Sequence, residues 1–141
     1  MKEVVTFLNF DGDCREAVEF YKKCFGAELF LMTYGEAPGD PAWKAEDVKD
    51  KILHSGLTKG STTILMAADV MPGAGARQYN GFGVAIQCES VPEIDALFAA
   101  LSENGKVTMP LRETFWAARF GMLTDQFGIC WMVNLGKPHP E

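Results

Sequence analysis

Two apolar stripes of helical spacing recur 80 residues apart: Cys14, Ala17, Val18 and Tyr21 match Ile94, Leu97, Phe98 and Leu101 position for position. Each stripe follows the i, i+3, i+4, i+7 pattern of an amphipathic helix. The glycines that close them, Gly26 and Gly105, stand 79 apart, so a one-residue difference in loop length separates the copies. A chain that repeats one small unit must bury each copy of the stripe against its own strands. The first stripe extends to Cys24 and Phe25, with Asp13 and Glu16 spaced as a capping box and Gly26 as terminator. The second opens on Ser90-Val91-Pro92-Glu93, which combines a capping box with a first-turn proline, and closes on Asn104-Gly105.

The remaining ordered segments read as strands. Val4 to Phe10 precedes the first helix, and Ala27 to Tyr34, Ile52 to Thr58 and Thr62 to Ala68 follow it, the last two joined by a tight turn at Lys59-Gly60. Phe82 to Cys88 precedes the second helix, and Val107 to Thr114, Ala118 to Thr124 and Cys130 to Asn134 follow it. The order is β-α-β-β-β, twice. The expected organisation is one domain built from a module over 1–70, a glycine-rich linker over 71–79, a second module over 80–136 and a tail over 137–141. A long loop, Gly35 to Asp50, interrupts the first module.

The 141 residues suffice for one packed domain, and the formal net charge of −6 comes without a basic cluster. Nucleic acid and anionic membrane surfaces are therefore not expected partners. No stretch approaches the roughly 20 apolar residues of a membrane span, and Met1-Lys2-Glu3 runs into a segment without a signal-peptide pattern, so a cytoplasmic location is expected. The cysteines Cys14, Cys24, Cys88 and Cys130 form no C-x-x-C pair and sit in apolar patterns, which fits small buried hydrophobes rather than disulfides or a metal site.

Two β-α-β-β-β modules in a chain of this length resemble the vicinal oxygen chelate superfamily of glyoxalase I, extradiol dioxygenases and bleomycin-resistance proteins. The run Glu113-Thr114-Phe115-Trp116, then Phe120-Gly121, Thr124-Asp125, Phe127-Gly128, Trp131 and Asn134, is similar to the PhnB-like subgroup, often labelled 3-demethylubiquinone-9 3-methyltransferase. So are Asn9-Phe10 to Phe20-Tyr21, His54, Asp69 and Tyr79-Asn80-Gly81-Phe82. The resemblance implies an α+β fold in which tandem βαβββ modules form a curved mixed sheet, with helices on the convex face and a pocket on the concave one. It also implies a homodimer.

Metal-dependent relatives take one ligand from the first and fourth strand of each module. Those places carry over to Thr6, Met66 (or Leu65), Ala85 (or Gly83) and Met132. Thioethers and methyl groups cannot hold a hard divalent ion, so no metal and no cofactor is expected. The methyltransferase label is not supported either, because no glycine-rich turn of the dinucleotide-binding kind leads from a strand into a helix. Neither a Walker A loop, nor H-E-x-x-H, nor G-x-S-x-G occurs.

With the concave face taken from the resemblance, alternation groups Thr6 with Leu8, His54 with Gly56, Thr62 with Ile64 and Met66, and Met132 with Asn134. His54 is the one histidine inside a strand, the other, His139, lying in the Pro-flanked tail. It reads either as a general base or as a structural donor to a neighbouring carbonyl. Asp69 and Asp125 sit at a strand end and a turn, where carboxylates often bind local backbone. Glu113 and Arg119 flank the sixth-to-seventh hairpin and read as a cross-strand ion pair, or Arg119 as an anchor for a ligand's anionic group. Trp116, Phe120, Trp131, Met132 and Met66 would form an aromatic and thioether lining, with Trp131 the foremost pocket residue, while Phe120 and Phe127 read rather as ordinary core.

The expected function is a metal-independent small-molecule-binding protein whose ligand site comprises Thr6, His54, Met66, Trp116, Arg119, Trp131 and Met132. The alternative is a lyase or isomerase with His54 as base, assisted by Asp69 or Glu113.

Overall fold

In the computed structural model, which describes residues 1–75 and 77–138, both helical stripes fold as the spacing predicts. Helix α1 spans Cys14–Phe25 and buries Cys14, Ala17, Val18 and Tyr21. Helix α2 spans Val91–Leu101 and buries Ile94, Leu97, Phe98 and Leu101, the same four places of the repeat. Gly26 ends α1 at φ 60°, a left-handed conformation that suits glycine. Ser90 caps α2, its Oγ accepting from the Glu93 N–H at 3.3 Å.

The chain divides into two compact units, Met1–Arg77 and Gln78 onward. In the N-terminal unit, β1 (Phe7–Phe10), β2 (Glu28–Thr33), β3 (Ile52–Lys59) and β4 (Thr62–Asp69) form a sheet in the order β1-β4-β3-β2. Only the β1–β4 pair is parallel. In the C-terminal unit, β5 (Val84–Cys88), β6 (Lys106–Arg112), β7 (Ala117–Thr124) and β8 (Cys130–Gly136) repeat the arrangement as β5-β8-β7-β6, with β5 and β8 parallel. The fold is thus α+β, two four-stranded mixed sheets with a helix packed on one face of each. The 35–50 loop holds a short 3-10 turn, Pro41–Lys44, whose Lys44 Nζ donates to the carbonyls of Gly35 and Ala37.

Burial identifies the two faces of each sheet. Leu8, Phe10, Ile52, Ser55, Leu57, Leu65 and Ala67 are buried under α1. Phe7, Asn9, Phe30, Met32, His54, Gly56 and Met66 occupy the alternate positions and lie on the helix-free face. In the C-terminal unit Trp131, Val133, Leu135 and Leu123 are buried on the α2 side. Gln87, Phe120, Met122, Met132 and Asn134 alternate with them.

The first strand is shorter than its sequence predicts. Val4 is exposed, and the pairing of β1 to β4 extends N-terminally only through the Met66 N–H, which donates to the Thr6 carbonyl at 3.0 Å. The phase of the strand is also opposite to expectation, since Leu8 belongs to the core and Phe7 and Asn9 face outward. Thr6 is therefore in phase with the core side. Because side chains alternate with a period of two, one residue of phase moves every position to the other face.

Candidate functional site

On the helix-free face of the N-terminal sheet an imidazole is flanked by aromatic side chains. His54 on β3 sits between two phenyl rings, with centroids 6.2 Å from Phe7 on β1 and 6.3 Å from Phe30 on β2. Phe7 and Phe30 are 44% and 54% exposed, so both rings are open to a ligand. Across the sheet, Phe7, Met66, Gly56 and Phe30 stand in register, and the missing side chain of Gly56 leaves the row open beside His54. A Cβ placed at Gly56 would meet nothing within 4 Å. The structure thus brings His54 and Met66 of the expected site onto one surface. It adds Phe7, which the sequence reading missed because the first strand was taken in the wrong phase, and Phe30, whose strand was given no face at all.

Asp69 is not available to His54. It is 2% exposed and points to the opposite side of the sheet. Its Oδ1 accepts from the Gly12 and Cys14 N–H groups at 2.8 and 3.0 Å, and its Oδ2 from the Ile52 N–H at 2.9 Å. Asp69 therefore caps α1 from the neighbouring strand and pins the end of the 35–50 loop. The expected capping box of Asp13 and Glu16 is corrected accordingly, since Asp13 makes no side-chain cap hydrogen bond. Glu113 is exposed beside the β6–β7 connection. Arg119 does not pair with it; the guanidinium bonds Asp95 on α2, on the helix side of the sheet.

Trp131 also departs from expectation. It is 1% exposed on the α2 side of β8, and its indole Nε1 donates to Asp125 Oδ2 at 2.7 Å. The other oxygen of Asp125 accepts from the Phe127 and Ile129 N–H groups. Asp125 organises the turn, as its position predicts, and Trp131 is core rather than pocket wall. Trp116 is 49% exposed and stacks edge-on against Phe115 and Phe120, at 4.8 and 5.4 Å between centroids. Met132 shares the helix-free face of its unit with Phe120.

Burial raises the Cys14 thiol to about 12, with the Asp69 charge adding to the effect, and raises Cys88 to about 11. Neither thiol is poised as a nucleophile.

The donors at the four carried-over ligand places are one hydroxyl, two thioethers and a methyl group, and substituting the outward-facing Phe7 for Thr6 removes the hydroxyl. No group of three His, Cys, Asp or Glu among the described residues could hold a metal ion. These residues do not fit a hard divalent cation. His139 lies outside the described residues, as do the last residues of the expected tail. No helix among the described residues is long and apolar enough to cross a membrane.

Residues 4–133 match the model of the Glyoxalase/Bleomycin resistance protein/Dioxygenase superfamily. Protein YjdN of Escherichia coli is 35% identical over 95% of each chain. The crystal structure of PA1353 from Pseudomonas aeruginosa superposes with a TM-score of 0.85 at 41% identity, covering 98% of this chain and 100% of that one. A PhnB protein of Bacillus cereus, described as a 3-demethylubiquinone-9 3-methyltransferase, superposes with a TM-score of 0.73 at 26% identity, covering 96% of this chain and 100% of that one.

Proposed function

The chain belongs to the Glyoxalase/Bleomycin resistance protein/Dioxygenase superfamily, and from that premise we propose that it is a cytoplasmic, metal-independent protein that binds a small apolar molecule and functions as a homodimer. The observation that carries this reading is the face on which Phe7 and Phe30 flank His54 beside Met66. Half-exposed rings offer a flat ligand two stacking surfaces, a thioether adapts to its outline, and an imidazole supplies one directional contact. Aromatic surface left open in this way is stabilised when a ligand covers it.

The lyase or isomerase alternative loses Asp69 as its assisting group, because that carboxylate is engaged by three backbone N–H groups. The same bonds bear on the methyltransferase description of the Bacillus cereus relative. The β1–α1 turn contains Gly12, but its N–H and that of Cys14 already donate to the protein's own carboxylate, so the turn has no cradle to offer a cofactor.

Titration with 8-anilinonaphthalene-1-sulfonate tests the binding reading. The dye should bind the folded protein saturably, and Phe30→Ala and His54→Ala should each weaken it at least tenfold, which is about 1.4 kcal/mol, with little change in thermal midpoint. Equal affinity in all three proteins would remove the Phe7–His54–Phe30 face from consideration.

A further inference from the structure

Gly56 and Gly121 are the glycines inside strands, and packing accounts for one of them. A Cβ at Gly121 would lie 2.7 Å from the Phe98 ring, so no larger residue fits there. At Gly56 on β3 a Cβ would meet no atom within 4 Å, and φ lies outside the left-handed region, so any residue could adopt that backbone. Nor does Gly56 make a bulge. It pairs in register with Phe30 on β2 and Met66 on β4, and the shift in the ladder falls beyond it, between Leu57 and Thr58. A glycine in a strand interior weakens the strand, because it loses more backbone freedom on folding and packs no side chain. Since neither fold nor packing asks for a bare position here, the space itself is what the glycine supplies, as where a ligand approaches the backbone closely.

The neighbours of Gly56 give that space a shape. Adjacent strands lie about 4.8 Å apart, so Phe30 and Met66 stand roughly 10 Å apart at their backbones with bare chain between them. The two side chains fill part of this width. What is left admits one aromatic ring standing edge-on, about 3.5 Å thick by the contact distance of carbon atoms. A saturated ring, thickened by its axial hydrogens, is held less well. A flat ring seated on Gly56 has the Phe30 phenyl on one side and the Met66 thioether on the other, and both contacts are favourable. His54 follows two residues along β3 on the same face, about 7 Å away, and offers a hydrogen-bonding imidazole to a polar group on the ring's edge.

We propose that Gly56 is the specificity-determining residue of this face and that its ligand is a planar aromatic molecule carrying a hydroxyl group, with the ring on Gly56 and the hydroxyl toward His54. This rests on the small-molecule reading above and narrows it to a substrate class.

Two probes with the same hydroxyl and carbon skeleton, 2-naphthol and decahydro-2-naphthol, differ in flatness and can be titrated into the full chain and followed by NMR chemical shifts. In the wild type, 2-naphthol should bind at least fivefold more tightly than its saturated counterpart. Gly56→Ala should weaken 2-naphthol at least tenfold, while its thermal midpoint equals or exceeds that of the wild type. Equal affinity of the two probes in the wild type would overturn the proposal, and so would a lowered midpoint in Gly56→Ala, which would show that the space is already taken. Naphthol binding that Phe30→Ala weakens and Gly56→Ala leaves unchanged would overturn the seat and leave the aromatic face standing. If neither 2-naphthol nor 8-anilinonaphthalene-1-sulfonate binds, both readings fall.

Discussion

Asp69 and Asp125 are both buried carboxylates, and each completes its bonding with backbone or indole N–H groups. A carboxylate placed that way holds segments together, and its removal leaves several donors dry. Asp69→Ala should cost about 3 kcal/mol in denaturant melts, and Trp131→Ala about 3–5 kcal/mol. A Trp131→Ala loss below about 1 kcal/mol would mark the indole as the wall of an unfilled pocket instead. The partners of Asp69 lie 17 to 57 residues away, which is why its role as a cap was not legible in the sequence whereas the local turn at Asp125 was. Cys14 gives a pH-dependent counterpart. Its folded value of about 12 lies above the ordinary 9.0, so the thiol holds its proton more tightly in the folded state. That contribution is complete below pH 9 and fades as the pH rises toward 12, on the order of 1.4 kcal/mol per unit. Alkaline melts of wild type and Cys14→Ala should therefore converge as pH climbs through that window; parallel curves would count against the shift.

At the scale of elements, helical period was the most readable signal, because four buried positions per helix give the 3.6-residue repeat enough points to be unambiguous. Strand phase was less so at β1, where only four residues pair and Thr6, Phe7 and Leu8 present no clean alternation of polar and apolar types. The consequence reached the candidate site, since Phe7 was missed and Thr6 named in its place. Helix-to-sheet contact in the C-terminal unit turns on Gly121, which faces α2 from β7. A Cβ there would lie 2.7 Å from the Phe98 ring and 2.9 Å from Leu111. Gly121→Ala should thus destabilise by about 1–3 kcal/mol through overpacking, while Phe98→Ala alone costs about 3–5 kcal/mol through a cavity. Combining them should restore part of the loss, because the truncated ring makes room for the new methyl group. Strict additivity in the double variant would show that the two residues do not share that space.

For the whole molecule, the duplication was legible because both copies keep their buried stripes in the same order, whereas the proposed binding face was not, because it lies on what faces away from those stripes. The exposed residues include Phe7, Phe30, Phe82, Phe115 and Trp116, the last two stacked on each other at the β6–β7 connection. Aromatic area of this kind is costly to leave in water, and a two-fold pairing of identical chains can cover a patch with its own copy. Against association stands a formal charge of −6 on each chain, whose mutual repulsion weakens as salt shortens the screening length to about 8 Å at physiological ionic strength. Apolar contact and screened repulsion together predict a dimer that tightens with added salt. Light scattering at micromolar concentration should return a particle of about twice 15.5 kDa, and sedimentation at low salt should show the dissociated form becoming more abundant. A 15.5 kDa particle at both ionic strengths would rule the dimer out and leave the exposed rings to the ligand alone.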